Sequence, residues 1–325
     1  MSTIVAVAGG TRGMGLAIVH ELKKFPDLYT IKILSRNFNA DQVRELGVKI
    51  ITVDYLDIQN IAQILEAEDV HTLISNVFIS DGVTPSQHNL IHAAEASTVT
   101  KRFVPSAFDV PYDEEMAPTL YTGGYKLDIE KVLMMTKTLE WTRFHNSFFL
   151  DYYFSSKMKT FLTPGKNIAD LDSKKAIIPG EGNVPVSFTH TLDVARSVVA
   201  SLSLPLWPGR LYVSGDYLTW NEFIDIAENA PGFKFERQYN DLEDLKSGDI
   251  TRFKQLDDWE VLYKYWPKRM VERLPSAIQY FMGAGLADSN RYDPRLNDLF
   301  PDIKPLNVRD ALESYYKGTT PSNSA

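Results

Sequence analysis

Three glycines near the start of the chain, Gly9, Gly13 and Gly15, lie in Gly9-Gly10-Thr11-Arg12-Gly13-Met14-Gly15 with the spacing G-x-x-x-G-x-G. Glycine tolerates positive φ and lets an anion approach bare backbone N–H groups. Ahead of a helix, such a turn suits the pyrophosphate of a dinucleotide, with Thr11, Arg12 and Met14 as further contacts. Arg36 stands about 20 residues past the glycines, where a carboxylate commonly holds a free ribose 2′-hydroxyl. A guanidinium there suits a 2′-phosphate instead, and Arg12 can join it from the glycine turn. The pair predicts NADP(H) as the cofactor, in preference to NAD(H). Proton chemistry points to Lys126, in Tyr121-Thr122-Gly123-Gly124-Tyr125-Lys126. An ammonium can lower the pKa of a neighbouring phenol or relay a proton itself. The Tyr-x-x-x-Lys pair that commonly does this places the two one helical turn apart, but the residue four before Lys126 is Thr122; Tyr121 is five before it and Tyr125 adjacent.

The elements that must hold these residues are legible as alternating patterns. Thr3–Ala8 is short, apolar and β-branched, and Leu16–Leu22 has helical apolar spacing. Further strands are predicted at Tyr29–Leu34, Val48–Val53, Val70–Ser75, Lys101–Val104 and Glu140–Phe144, with helices near Ile58, at Ser86–Ala96 and at Leu127–Met134. This alternation predicts an α/β fold, a Rossmann-type doubly wound parallel sheet. Ligands of such sheets bind beyond the carboxyl ends of the strands. Asp54 and Leu56 are therefore expected at an adenine, and Asn76, Val77 and Phe78 near a nicotinamide, while Asp57 caps the next helix.

From Leu150 onward the texture changes, with dense aromatics (Tyr152, Tyr153, Phe154, Phe161) and Pro/Gly breaks. We divide the chain into an NADP-binding Rossmann domain at 1–148, with 186–214 returning to it. A smaller, mainly helical substrate lobe takes 149–185 and 215–318, and 319–325 reads as a disordered tail. The 325 residues carry 44% hydrophobic and 23% charged residues, no cysteine, and a formal net charge of −8. That balance argues against a nucleic-acid scaffold, and the absence of cysteine excludes thiolate catalysis and disulfides. The six histidines form no H-x-x-x-H pair, so no metal is expected. No apolar run reaches the roughly 18 residues of a membrane span, and no signal peptide precedes the first strand, which predicts a cytoplasmic protein.

These residues resemble the NmrA-like, isoflavone-reductase-like branch of atypical short-chain dehydrogenases. The resemblance rests on the glycine turn, Arg36, Asp54-Tyr55-Leu56-Asp57 and Ile74-Ser75-Asn76-Val77. It extends to Arg102-Phe103-Val104-Pro105-Ser106-Ala107-Phe108, Lys126 and Asn146-Ser147-Phe148-Phe149. It implies an NADP(H)-binding domain with a lobe closing over substrate, with Ser106, Asn146 and Phe149 added to the cofactor contacts. It also implies a Lys126 that touches the nicotinamide ribose and assists proton transfer. Three positions depart from the family pattern: Ala107 replaces a glutamate, Asp109 a glycine, and Arg12 the middle glycine of the turn.

Three functions follow. The first is an NADPH-dependent reductase of a bulky aromatic or polycyclic small molecule of secondary metabolism, with Lys126 and Tyr121 as catalytic candidates and an aromatic-lined pocket. The second keeps the dinucleotide but performs a non-redox cyclisation or condensation, such as an iminium-type ring closure, with Lys126, Tyr121, Asp109, His145 and Glu181 as acid–base candidates. The third is a regulator that senses NADP(H) and passes the signal to a protein partner. Substrate identity and oligomeric state stay open.

Overall fold

The computed structural model describes residues 2–78, 84–111, 113–117, 121–154, 158, 160–163, 165, 167–229, 232–248, 250–251 and 267–319. The chain forms two compact units. The first comprises Met1–Ala107, Gly124–Phe144 and Ala195–Leu211; the second comprises Phe108–Gly123, His145–Val194 and Tyr212–Ala325.

The first unit is built on β1 (Thr3–Ala8), α1 (Gly13–Leu22), β2 (Tyr29–Ser35), α2 (Ala40–Leu46), β3 (Lys49–Thr52), α3 (Ile58–Ala67), β4 (Thr72–Ser75), α4 (Thr84–Ala96), β5 (Arg102–Val104), α5 (Tyr121–Met134) and β6 (Glu140–Trp141). Its strands form one parallel six-stranded sheet in the order β3-β2-β1-β4-β5-β6. Val5 through Ala8 are fully buried, as both faces of a parallel strand require. Leu73 and Phe103 from the sheet share one core with Ile61 and Leu65 of α3, Leu90 and Ile91 of α4, and Ile129 of α5. Because β1 lies between β2 and β4, the strand order reverses beside it, and the glycine turn that follows β1 stands at that switch point. Asp57 caps α3 as expected, its Oδ1 accepting from Asn60 N at 2.9 Å.

The strand predicted at Glu140–Phe144 is broken. Thr142 N still bonds Phe103 O at 3.3 Å, but Arg143 N turns to Gly209 O at 3.0 Å. The segment thus exchanges its partner: β6 continues the main sheet, and β7 (Arg143–His145) pairs with β12 (Arg210–Tyr212).

The second unit holds β8 (Phe148–Phe149), β9 (Ala169–Asp170), β10 (Lys175–Pro179) and β11 (Pro185–Thr189). Helix α6 (Thr191–Ser201) leads out of it, and beyond β12 come β13 (Asp216–Thr219), α7 (Trp220–Asn229), β14 (Glu236–Asn240), α8 (Leu242–Ser247), α9 (Lys268–Gly283), α10 (Leu296–Leu299) and α11 (Val308–Lys317). Its helices share the unit with two three-stranded sheets, β13-β11-β8 and β14-β10-β9. Pro185–Thr189 belongs to this unit, whereas Ala195–Leu211 joins the first. Much of the aromatic density goes into the core: Trp220 stands edge-on to Phe188 and Tyr153 at 5.0 Å each, with Phe223 at 5.1 Å. The tail predicted from 319 lies, beyond Thr319, outside the described residues. Among those described, no helix is long and apolar enough to cross a membrane, and no group of three or more His, Cys, Asp or Glu is arranged to hold a metal.

Candidate cofactor site and acid–base residues

The glycine turn is shaped by two close approaches. Gly9 has φ +76°, and a Cβ there would lie 2.7 Å from Asn76 O; a Cβ on Gly15 would lie 2.5 Å from Gly9 O. Only glycines allow β1, the turn and α1 to close down on the β4 exit at those distances. Gly13 differs: its φ is +58°, and a Cβ there would meet nothing within 4 Å. It opens outward. Arg12 precedes it in an extended conformation, exposed and with no capping hydrogen bond, while Thr11 is half-buried and Met14 buried. The bare N–H groups of the first turn of α1 and its dipole face this opening, a cradle that fits a diphosphate.

The neighbouring strand exits surround the turn. Arg36 is exposed beyond β2. Beyond β3, Asp54 Oδ1 accepts from Leu56 N at 2.9 Å, and Leu56 is 66% exposed, an apolar surface for a flat ring. Beyond β4, Asn76 N donates to Ala8 O at 2.8 Å, Val77 is buried, and Phe78 is 43% exposed. The Asn76 Nδ2 donor is shielded from solvent and has no hydrogen-bond acceptor among the described residues. Ser106, beyond β5, is held by a residue the sequence reading missed. Gln87 Oε1 accepts from Ser106 N at 3.4 Å and from Ser75 Oγ at 2.7 Å, joining two strand exits from α4. The signal was available: Gln87, Leu90, Ile91 and Ala94 form one helical stripe, in which glutamine alone is polar.

Lys126 lies in the second turn of α5, half-buried. Glu130 stands four residues on along the same helix, at i,i+4 spacing from Lys126. Glu130 Oε2 accepts from Arg143 Nη1, and both of its oxygens accept from Arg210, at 2.8 Å from Nε and 3.0 Å from Nη2. Arg143 is fully buried and Glu130 nearly so. The side chain of Tyr121 lies outside the described residues.

In the second unit, two of the acid–base candidates meet. Asp109 Oδ1 and His145 Nδ1 are 3.5 Å apart, both side chains buried, and the same nitrogen lies 3.2 Å from Val110 O. A carbonyl can only accept, so Nδ1 carries a proton. The imidazole stacks on Tyr212 at 5.2 Å. Asn146 N and Ser147 N both donate to Asp109 O, at 2.9 and 3.1 Å. Asn146 is buried, with Nδ2 on Ser147 O at 3.2 Å and no partner for Oδ1 among the described residues. Ser147 has φ +58°, and its Oγ donates to Ala287 O at 2.7 Å. Phe149 is buried edge-on to Tyr152 at 5.8 Å. Glu181 sits in an exposed turn, its carbonyl accepting from Asn221 Nδ2 at 2.9 Å.

The sequence signature of the NmrA-like family matches residues 1–307. The chain belongs to the NmrA-like family. Among its relatives, oxidoreductase BOA1 of Botryotinia fuckeliana is 39% identical over 232 residues, 71% of this chain and 77% of that protein. Oxidoreductase swnN of Metarhizium robertsii is 28% identical over 339 residues, covering 96% of each chain. Among solved structures, AtPrR2 with NADP+ and (+)pinoresinol superposes with a TM-score of 0.73 at 20% identity, covering 97% of this chain and 99% of that one. That likeness is one of fold.

Proposed function

We propose that this NmrA-like protein is an NADPH-dependent reductase acting on a bulky aromatic or polycyclic small molecule. The observation that carries the reading is the glycine turn closed on Asn76 with Gly13 opening outward and Arg12 and Arg36 exposed beside it. That combination suits a dinucleotide bearing a 2′-phosphate. When bound, NADPH supplies the hydride. Gly9, Thr11, Gly13, Met14 and Gly15 hold the phosphates, and Arg12 and Arg36 take the 2′-phosphate. Asp54 and Leu56 flank the adenine, while Asn76, Val77, Phe78, Ser106, Asn146 and Phe149 complete the contacts. Lys126 contacts the nicotinamide ribose and delivers or relays the proton that neutralises the reduced product, with Tyr121, five residues before it, as the phenolic candidate. The names of the relatives and the bound (+)pinoresinol of the structural neighbour support an oxidoreductase with an aromatic substrate.

A second reading is favoured by the buried Asp109–His145 pair, which is equipped for acid–base chemistry without hydride transfer. Screening lignans, flavonoids and polycyclic imines for NADPH consumption separates the two. Reduction that is lost in Lys126→Ala supports the reductase. Conversion of a substrate with no NADPH consumed, lost in His145→Ala and retained in Lys126→Ala, supports the second reading and overturns the first.

A further inference from the structure

Tyr55 stands between Asp54 and Leu56, which are exposed at the β3 exit, yet it turns inward and is 5% exposed. It belongs to the core that includes Leu34, Val53 and Val77. A phenylalanine would fill that space equally well. The hydroxyl needs its own explanation, because burying it without a partner would be costly.

Its partner is specific. The hydroxyl donates to Leu34 O at 2.7 Å. Leu34 O also accepts from Gly9 N at 3.0 Å, so the hydroxyl and the Gly9 N–H share one acceptor. The Tyr55 carbonyl is anchored in turn by Asn89 Nδ2 of α4 at 3.0 Å. One hydroxyl therefore joins three strand exits: the glycine turn at Gly9, the β2 exit two residues before Arg36, and the β3 exit between Asp54 and Leu56. Arg36 is exposed and makes no hydrogen bond or ion pair of its own among the described residues, so the structure fixes only the backbone from which its side chain starts.

We propose that Tyr55 is a specificity-determining positioning residue, whose hydroxyl locks the β2 exit against the glycine turn and so holds Arg36 where it selects a 2′-phosphorylated dinucleotide. The inference rests on the NADP(H) reading above. It assigns Tyr55 no contact with the dinucleotide and no part in the chemistry.

The test is a calorimetric titration of the parent, Tyr55→Phe, Arg36→Ala and the double variant with NADPH and with NADH, alongside thermal unfolding without nucleotide. Tyr55→Phe keeps the ring in the core. We expect it to weaken NADPH about fivefold and NADH by less than about twofold, the size of one lost hydrogen bond acting through position. In the Arg36→Ala background the same change should leave the NADPH-to-NADH ratio unaltered. Equal weakening of both nucleotides, no change in either, or an effect on the ratio that persists without Arg36 overturns the inference and leaves the cofactor reading standing. A parent that binds neither nucleotide, or binds both equally, overturns the cofactor reading and the inference together.

Discussion

Glu130 and Arg143 form an ion pair in the interior of the first unit: the arginine is fully buried, and Arg210 reaches the same carboxylate. Arg143 Nε and Nη2 have no hydrogen-bond partner among the described residues, so the carboxylate on Nη1, that of Glu130, is the counter-charge seen there. Removing the carboxylate leaves a buried guanidinium uncompensated. Glu130→Ala is expected to destabilise the protein by about 3–5 kcal/mol, read from urea unfolding. Lys126→Ala, one turn away on the same helix, is expected to cost less than about 1 kcal/mol while abolishing reduction, because exposed and half-exposed charges contribute little to stability. A large stability loss in Lys126→Ala would make that lysine structural.

The three glycines of the turn are expected to respond differently. A Cβ at Gly15 meets Gly9 O at 2.5 Å, a backbone atom, so Gly15→Ala should disturb the fold itself. At Gly13 the space is open and only the φ of +58° opposes a side chain. Gly13→Ala should fold with a penalty of about 1 kcal/mol and still lose nucleotide affinity, because its methyl group enters the opening. Thermal unfolding paired with NADPH titration separates the two effects.

Ser147 occupies the left-handed region at φ +58° and anchors to Ala287 O through its hydroxyl. Ser147→Ala keeps the strain and loses the bond, whereas Ser147→Gly loses the bond but relieves the strain. The glycine variant is expected to be the more stable of the two by about 1 kcal/mol in urea unfolding. Equal stabilities would mean that the strain is absorbed elsewhere.

Gln87→Leu keeps the volume of the side chain but breaks its bonds to Ser75 and Ser106. The loss expected is about 1–3 kcal/mol of stability from the polar groups left unpaired, together with weaker NADPH binding. Stability lost with affinity unchanged would confine Gln87 to the fold.

Acid sensitivity should centre in part on Glu228. Burial works to raise its pKa, but hydrogen bonds from Lys234, the Phe235 N–H and Arg237 outweigh it and hold the group at about 2. A carboxylate with a lowered folded pKa contributes stability that is full above its unfolded pKa of 4.5 and is lost as pH falls toward 2. Glu228→Gln is therefore expected to be less stable than the parent near about pH 7, with the difference shrinking as the pH is lowered to about 3. Urea midpoints at the two pH values check this.

The sequence made the β1–glycine–α1 unit legible because each part of it is local: an apolar run, a turn rich in glycine, a helical stripe. The parallel order was legible because strands and helices alternate. The break between β6 and β7 was not, since it depends on Arg143 exchanging a Phe103-side partner for Gly209, 66 residues further along the chain. Strands such as Phe148–Phe149 and Ala169–Asp170 are too short to show a period. Gln87 and Tyr55 were hidden for another reason: a glutamine in a helix and a tyrosine beside an aspartate look ordinary until Ser75, Ser106, Leu34 and Gly9 arrive beside them. Asp109 and His145 were named as candidates from the sequence, but only the fold shows that they meet.

The most direct test of the central claim is calorimetric titration of the purified protein, freed of bound nucleotide, with NADPH and with NADH. The expected result is one NADPH bound per chain, clearly tighter than NADH, with the preference lost in Arg36→Ala. Failure to bind either nucleotide would contradict the account at its root, because the opening at Gly13 would then hold no dinucleotide.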